Sequence, residues 1–180
     1  MKTLVIIKPD AWARGLFDKI IVRLDGLPDS KIVYLKTYSH LPRHKLKHHY
    51  REHEGKPFFD HLIAAMCHRP AAVLVVEGPN IVRRVRALIG ATDPQKAEPG
   101  TIRGDFRCAE SAGPYNMIHA SDSWQAAIDE MIIWDVIKPE GLGELQVDAD
   151  PDLALQPQKG WLREGHNDPE DDREGSESSI

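Results

Sequence analysis

Cysteine is nearly absent from this 180-residue chain: only Cys67 and Cys108 occur, with no metal-type spacing between them. Their scarcity excludes a disulfide framework and a thiolate zinc site, and it leads us to expect a reducing compartment, the cytoplasm. Long apolar runs are missing too. The longest, Ala71 to Val76, has the length of a strand rather than of a membrane span. Met1-Lys2-Thr3 leads directly into an apolar strand, so no secretory leader is expected. Glycine-rich phosphate loops are also lacking. The one Gly-Lys pair, Gly55-Lys56, has Tyr50 where the earlier glycine of a P-loop belongs, and Gly141-Leu142-Gly143 lacks the third glycine and the strand context of a dinucleotide fingerprint.

What is present suits one globular domain, with 41% hydrophobic and 28% charged residues. The net charge of −5 is unevenly spread. Residues 147–180 hold ten Asp or Glu against three Lys or Arg, a net of −7, which leaves +2 for residues 1–146. A mildly basic body suits a small anionic substrate and is too weakly basic to argue for nucleic acid. The remainder is acidic, rich in Pro, Asp, Gly and Ser, and poor in apolar residues after Trp161 and Leu162, and reads as a flexible tail of unknown role. The expected organisation is therefore a domain over residues 1–146 and a tail over 147–180.

Hydrophobic periodicity orders the body. Leu4 to Ile7, Ile32 to His40, Ala71 to Val76 and the segment around His119 read as strands. Helices are expected over Trp12 to Leu24, from Pro42 to about Glu54, from Pro57 to about His68, over Asn80 to Ile89, and from an Asp122 N-cap paired with Gln125. Gly90 to Pro114 reads as a long loop, and loops of that length inside a compact domain are usually functional. This order fits an α+β sandwich of the ferredoxin-like kind, an antiparallel four-stranded sheet with helices packed on it.

The chemistry gathers around Asn116-Met117-Ile118-His119-Ala120-Ser121-Asp122-Ser123. His119 falls between a strand and a helix start, where unpaired backbone N–H groups favour an anion or a phosphoryl group in transit. Phosphoryl transfer needs charge neutralisation around the phosphates and an in-line nucleophile, and Lys8, Arg86, Thr92 and Arg103 supply the first. A neutral imidazole supplies the second, provided its far nitrogen is hydrogen-bonded so that the tautomer is fixed; Glu130 is the candidate orienter. Two other constellations lack support. His44/His48 and His49/His53 have i,i+4 spacing, but no carboxylate motif or cysteine completes a metal site. His119, Ser121 and Asp122 carry the letters of a hydrolase triad without a nucleophile elbow.

Five motifs in order carry a resemblance: Lys8-Pro9-Asp10 after an apolar strand, Lys56-Pro57-Phe58-Phe59, Gly90-Ala91-Thr92-Asp93-Pro94, Pro99 to Phe106, and Asn116-x-x-His119-Ala120-Ser121-Asp122. Over roughly residues 1–140 the chain resembles a nucleoside diphosphate kinase. The resemblance implies the ferredoxin-like topology and a ping-pong transfer of the γ-phosphate from a nucleoside triphosphate, bound with Mg²⁺, to a nucleoside diphosphate through phospho-His119. It implies that Glu130 bonds the histidine's far nitrogen with support from Ser121, and that Arg86, Thr92 and Arg103 contact phosphate oxygens. Lys8 and Asn116 would reach the sugar and terminal phosphate, Tyr50 would help position Lys8 and His119, and Phe58 would stack on the base. It also implies a homo-oligomer, a hexamer or a tetramer; with no completed ligand set in the sequence, no residue of the chain is expected to ligate a metal. The chain departs from the family at Arg107 to Tyr115, which is longer than usual, and Pro114-Tyr115 stands where Gly-Arg generally precedes the asparagine. A catalytically weak nucleotide-binding regulator of the same fold and a protein-histidine kinase acting from phospho-His119 remain the alternatives.

Overall fold

The structure, a computed structural model, describes residues 1–67 and 69–138. The acidic segment 147–180 lies outside the described residues.

Strands β1 (Lys2–Ile7), β2 (Lys31–Tyr38), β3 (Ala71–Glu77) and β4 (Ile118–Ala120) form one antiparallel sheet in the order β2-β3-β1-β4. Two apolar layers cover it, and the two-residue period of a strand sorts side chains between them. Leu4, Ile6, Val73 and Val75 face one layer, and Val5, Ile7, Ala72, Leu74 and Val76 face the other. The first layer is closed by α3 (Arg43–His49), α4 (Phe59–Met66) and α7 (Trp124–Ile133), and the second by α2 (Phe17–Asp25) and α5 (Ile81–Ile89). Burial on both faces explains why Leu4 to Ile7 of β1 and Ala71 to Val76 of β3 are apolar throughout.

Several boundaries differ from the periodicity. The helix expected over Trp12 to Leu24 is two: α1 (Pro9–Ala13), opened by a proline in its first turn, and α2, separated from it where Gly15 takes φ +64°. Likewise α3 stops at His49, and Arg51–His53 continues as a 3₁₀ turn, which leaves Tyr50 at the joint. The long loop is partly structured, with a 3₁₀ turn at Pro94–Lys96 and the short helix α6 (Ile102–Phe106). Gly104 is required there, because a Cβ would stand 2.0 Å from the Glu98 carbonyl oxygen. Finally, α7 is capped by Ser123 rather than Asp122: its hydroxyl accepts the Ala126 N–H at 3.1 Å.

Candidate active site

Pairing of β1 with β4 sets Ile6 opposite His119, so the end of β1 and the residues just before α1 adjoin the histidine. A cleft of about 500 Å³ opens here, between α3, α5, α7 and the 90–116 loop. Every residue singled out from the sequence lines it except Ser121, which is fully buried behind it.

His119 Nε2 lies 3.0 Å from Glu130 Oε1, and the Ser121 hydroxyl donates to Glu130 Oε2 at 2.6 Å. Ser121 is itself fixed by the sheet, since its Oγ accepts the Leu4 N–H at 3.1 Å and its own N–H bonds the Leu4 carbonyl. The carboxylate is thus anchored to the backbone of β1. Burial pushes the Glu130 carboxyl up, but His119 beside it, His49 and the Ser121 hydroxyl outweigh that and hold it below the usual range. It stays anionic and accepts, so the histidine's proton resides on Nε2 and Nδ1 keeps its lone pair. Among the described residues Nδ1 has no hydrogen-bond partner. A tautomer fixed in this way is what an imidazole nucleophile needs.

The cationic wall is a connected network. Lys8 Nζ donates to Asn116 Oδ1 at 2.8 Å and to the Pro114 carbonyl, while Asn116 Nδ2 donates to the Thr92 carbonyl at 3.1 Å. Burial and the nearby Arg103 pull the Lys8 ammonium down, Asp10 pulls it up, and it comes to rest at about 8. Arg103 holds three carbonyls, of Asn116, Gly90 and Ile118, at 3.1, 3.0 and 2.5 Å. Burial and Arg86 bring its guanidinium down to about 10, still charged at neutral pH. Arg103 therefore ties the 90–116 loop to β4, a role the sequence did not suggest beside its expected phosphate contact. Arg86 and Thr92 are exposed at the cleft.

At the mouth, Phe58 is 49% exposed and offers an open aromatic face, with Lys56 Nζ 5.9 Å from its centroid and the His53 ring at 5.3 Å. Tyr50 is buried beneath, its ring 6.1 Å from that of His119. The structure shows no hydrogen bond from Tyr50 to Lys8.

Sequence reasoning missed three participants. Met117, which reads as strand, takes φ +69° and precedes β4, held by Asp10, whose carboxylate accepts its N–H at 2.9 Å. Asp10 was visible as part of the Lys8-Pro9-Asp10 motif, but not its partner. His49, noted only for its spacing from His53, lies edge-on to the His119 ring with centroids 4.5 Å apart.

The sequence model of the family described as "Nucleoside diphosphate kinase" matches residues 1–135. The chain belongs to the nucleoside diphosphate kinase family. A nucleoside diphosphate kinase of Pyrococcus furiosus is 47% identical over 151 residues, 83% of this chain and 90% of that protein. One of Roseiflexus castenholzii is 50% identical over 124 residues, 68% and 78% of the two chains. Among solved structures, the nucleoside diphosphate kinase of Encephalitozoon cuniculi superposes with a TM-score of 0.69 at 34% identity, covering 74% of this chain and 87% of its own. A family protein from Babesia bovis gives 0.68 at 34% identity, covering 77% and 89%. Family membership, the ferredoxin-like sheet order and the His119–Glu130–Ser121 geometry agree with one another.

Proposed function

We propose that this nucleoside diphosphate kinase passes the γ-phosphate of a nucleoside triphosphate to a diphosphate through Nδ1 of His119. The observation that carries the assignment is the Nε2···Glu130 contact, which leaves Nδ1 as the nucleophilic nitrogen facing the cleft. In the first half-reaction the Nδ1 lone pair attacks the γ-phosphorus. The bond to the bridging oxygen breaks, the nucleoside diphosphate leaves with that electron pair, and the Nε2 proton stays on the imidazole, bonded to Glu130. The second half-reaction reverses these steps: a terminal oxygen of the incoming diphosphate attacks phosphorus and the P–N bond breaks. No net proton leaves the histidine. Charge neutralisation supplies most of the catalysis in such transfers, and Arg86, Thr92, Lys8 and Arg103 are assigned to it. Lys8 and Asn116 also meet the sugar, and Phe58 stacks on the base. Tyr50 acts as a wall behind His119.

A divalent cation, Mg²⁺ in our reading, comes with the nucleotide. Of the four carboxylates lining the cleft, Glu130 is committed to His119 and Ser121, Asp129 pairs with Arg51 at 3.6 Å, and none of Glu52, Asp122 and Asp129 joins a group of three possible ligands among the described residues, so the donor set suits a cation carried by the phosphates. When bound, it neutralises phosphate charge.

A homo-oligomer, tetramer or hexamer, is supported by the outer edge of β2, where Val33 and Leu35 are 39% and 49% exposed. Mass measurement in solution decides its size. Free Cys67 and Cys108 suit a cytoplasmic setting. No helix of the described residues is long and apolar enough to cross a membrane. The division into a catalytic domain over 1–146 and an acidic segment over 147–180 is proposed on composition.

The deciding experiment is incubation with γ-labelled ATP and Mg²⁺, then a chase with unlabelled nucleoside diphosphate. An acid-labile, base-stable adduct that disappears in His119→Ala and transfers to the diphosphate is expected. Label on a serine, or unchanged turnover in His119→Ala, overturns the assignment. Transfer to a protein but not to a diphosphate would favour the protein-histidine kinase.

A further inference from the structure

We infer that His49 is a positioning residue whose Nε2–H is directed at the His119–Glu130 pair and helps hold Glu130 as the anion facing the reacting imidazole. The inference rests on the proposed role of His119. It starts from Trp134, whose indole Nε1 lies 3.3 Å from His49 Nδ1 in the core. An indole N–H can only donate, so Nδ1 must present its lone pair.

His49 is also uncharged. Burial above all, then the His119 ring, brings it down to about 3; Arg51 and Lys8 act the same way, and the opposing pull of Glu130 is smaller. Tyr50, the remaining titratable neighbour, lies edge-on at 4.6 Å. A neutral imidazole with a free Nδ1 carries its proton on Nε2. That nitrogen is fully buried and has no hydrogen-bond partner among the described residues. A buried donor without a partner is costly and calls for an explanation.

The surroundings supply one. A ring nitrogen of His49, one of His119 and a carboxylate oxygen of Glu130 lie within 4.8 Å of one another. The trio has the composition of a His₂Glu zinc site, but the tautomer argues against a metal. Coordination through Nε2 would move the proton to Nδ1 and set it against the Trp134 N–H, two donors face to face. The group therefore works as a donor. Glu130 has capacity for it, since two carboxylate oxygens accept from about four directions and only His119 and Ser121 are engaged. Phosphorylation on Nδ1 fixes a proton on His119 Nε2 and develops positive charge on the ring, which an anionic Glu130 stabilises. A neutral donor strengthens that anion without a cation beside the imidazolium.

The test compares His49→Leu, which removes the donor, with His49→Gln, which keeps a neutral N–H. Phosphoenzyme formation from γ-labelled ATP, followed from pH 5 to 9, is the readout. Losing a donor to the Glu130 anion raises the pH at which that carboxyl protonates, so the acidic limb of the His49→Leu profile should move to higher pH. Its rate at neutral pH should fall by up to about tenfold, the effect of an N–H dipole near the carboxylate rather than of a formed hydrogen bond, while KM changes little. His49→Gln should restore most of both. Long-range ¹H–¹⁵N spectra of the wild-type protein give a check that does not depend on either variant folding. They should show His49 protonated on Nε2 and not on Nδ1, with a mixed tautomer in Trp134→Phe. A wild-type acidic limb in His49→Leu, no rescue by His49→Gln, or a proton on Nδ1 overturns the inference. Absence of any phosphoenzyme in the wild-type chain would instead overturn the role of His119.

Discussion

The carboxylate of Asp10 accepts the backbone N–H of Met117 at 2.9 Å, and Met117 has a φ of +69°. A left-handed conformation is uncommon for a methionine and persists where its surroundings enforce it. Here the Lys8 N–H also bonds the Met117 carbonyl at 2.9 Å. The Lys8-Pro9-Asp10 turn thus clamps the residue two before His119 and aims β4.

Asp10→Ala leaves the Met117 N–H unpaired and the left-handed residue unsupported. A loss of ~1–3 kcal/mol of stability is expected, with a lower kcat because His119 is less well aimed. Thermal melts and steady-state kinetics check it; an unchanged kcat would show that the clamp does not matter for aim.

Glu130→Ala removes an orienting hydrogen bond while the nucleophile remains. Its loss in kcat/KM should correspond to ~1–3 kcal/mol, milder than His119→Ala. Ser121→Ala acts through the same carboxylate, so the double variant should lose less than the sum of the single losses. Strict additivity in a double-mutant cycle would mean that the two side chains act independently.

Lys8 titrates near pH 8, below its ordinary value, because burial disfavours its charge. As pH rises past 8 its ammonium is lost and KM for the nucleotide should climb, an upturn that Lys8→Met should lack. Stability moves the other way. From about pH 8 to the ordinary lysine value the unfolded chain binds more protons than the folded one, so the penalty of burying a charged Lys8 is relieved as pH rises. Denaturant midpoints of wild type against Lys8→Met between pH 7 and 10 test that sign.

Stacking on Phe58 tolerates any base, since each presents a π-face. GDP, CDP, UDP and dTDP should all accept phosphate from ATP, and Phe58→Ala should cost ~1–3 kcal/mol with each of them. Acceptors lacking the 3′-hydroxyl should be markedly poorer, because Lys8 and Asn116 are assigned to the sugar. A preference above ~100-fold for one base exceeds what stacking supplies and would mean that the Arg107 to Tyr115 segment reads base edges.

Removing residues 150–180 should leave turnover and melting temperature unchanged. Their composition offers little apolar area with which to offset chain entropy. A melting temperature lowered by many degrees, or a changed oligomer mass, would show that Trp161 or Leu162 contributes to the assembly.

Whatever depends on a short window was legible in the sequence. The apolar runs of β1 and β3 mark strands buried on both faces, and the ordered motifs, together with Tyr50, Arg86 and Glu130 taken from the resemblance, mark nine residues that line a single cleft, with Ser121 behind it. Tertiary structure decided everything that depends on a distant partner. The Ser121 hydroxyl that donates to Glu130 is itself held by the Leu4 N–H, 117 positions away, a bond that exists only because β4 pairs with β1 in one register. Arg103 reads as a free phosphate ligand until the folded loop brings three carbonyls to it. His49 reads as one of two spaced histidine pairs until packing sets Trp134 against its Nδ1, 85 positions apart, which leaves its proton to Nε2. Side-chain period is a local property of the chain, whereas the partner of a buried donor follows from sheet register and helix packing, which no short window contains.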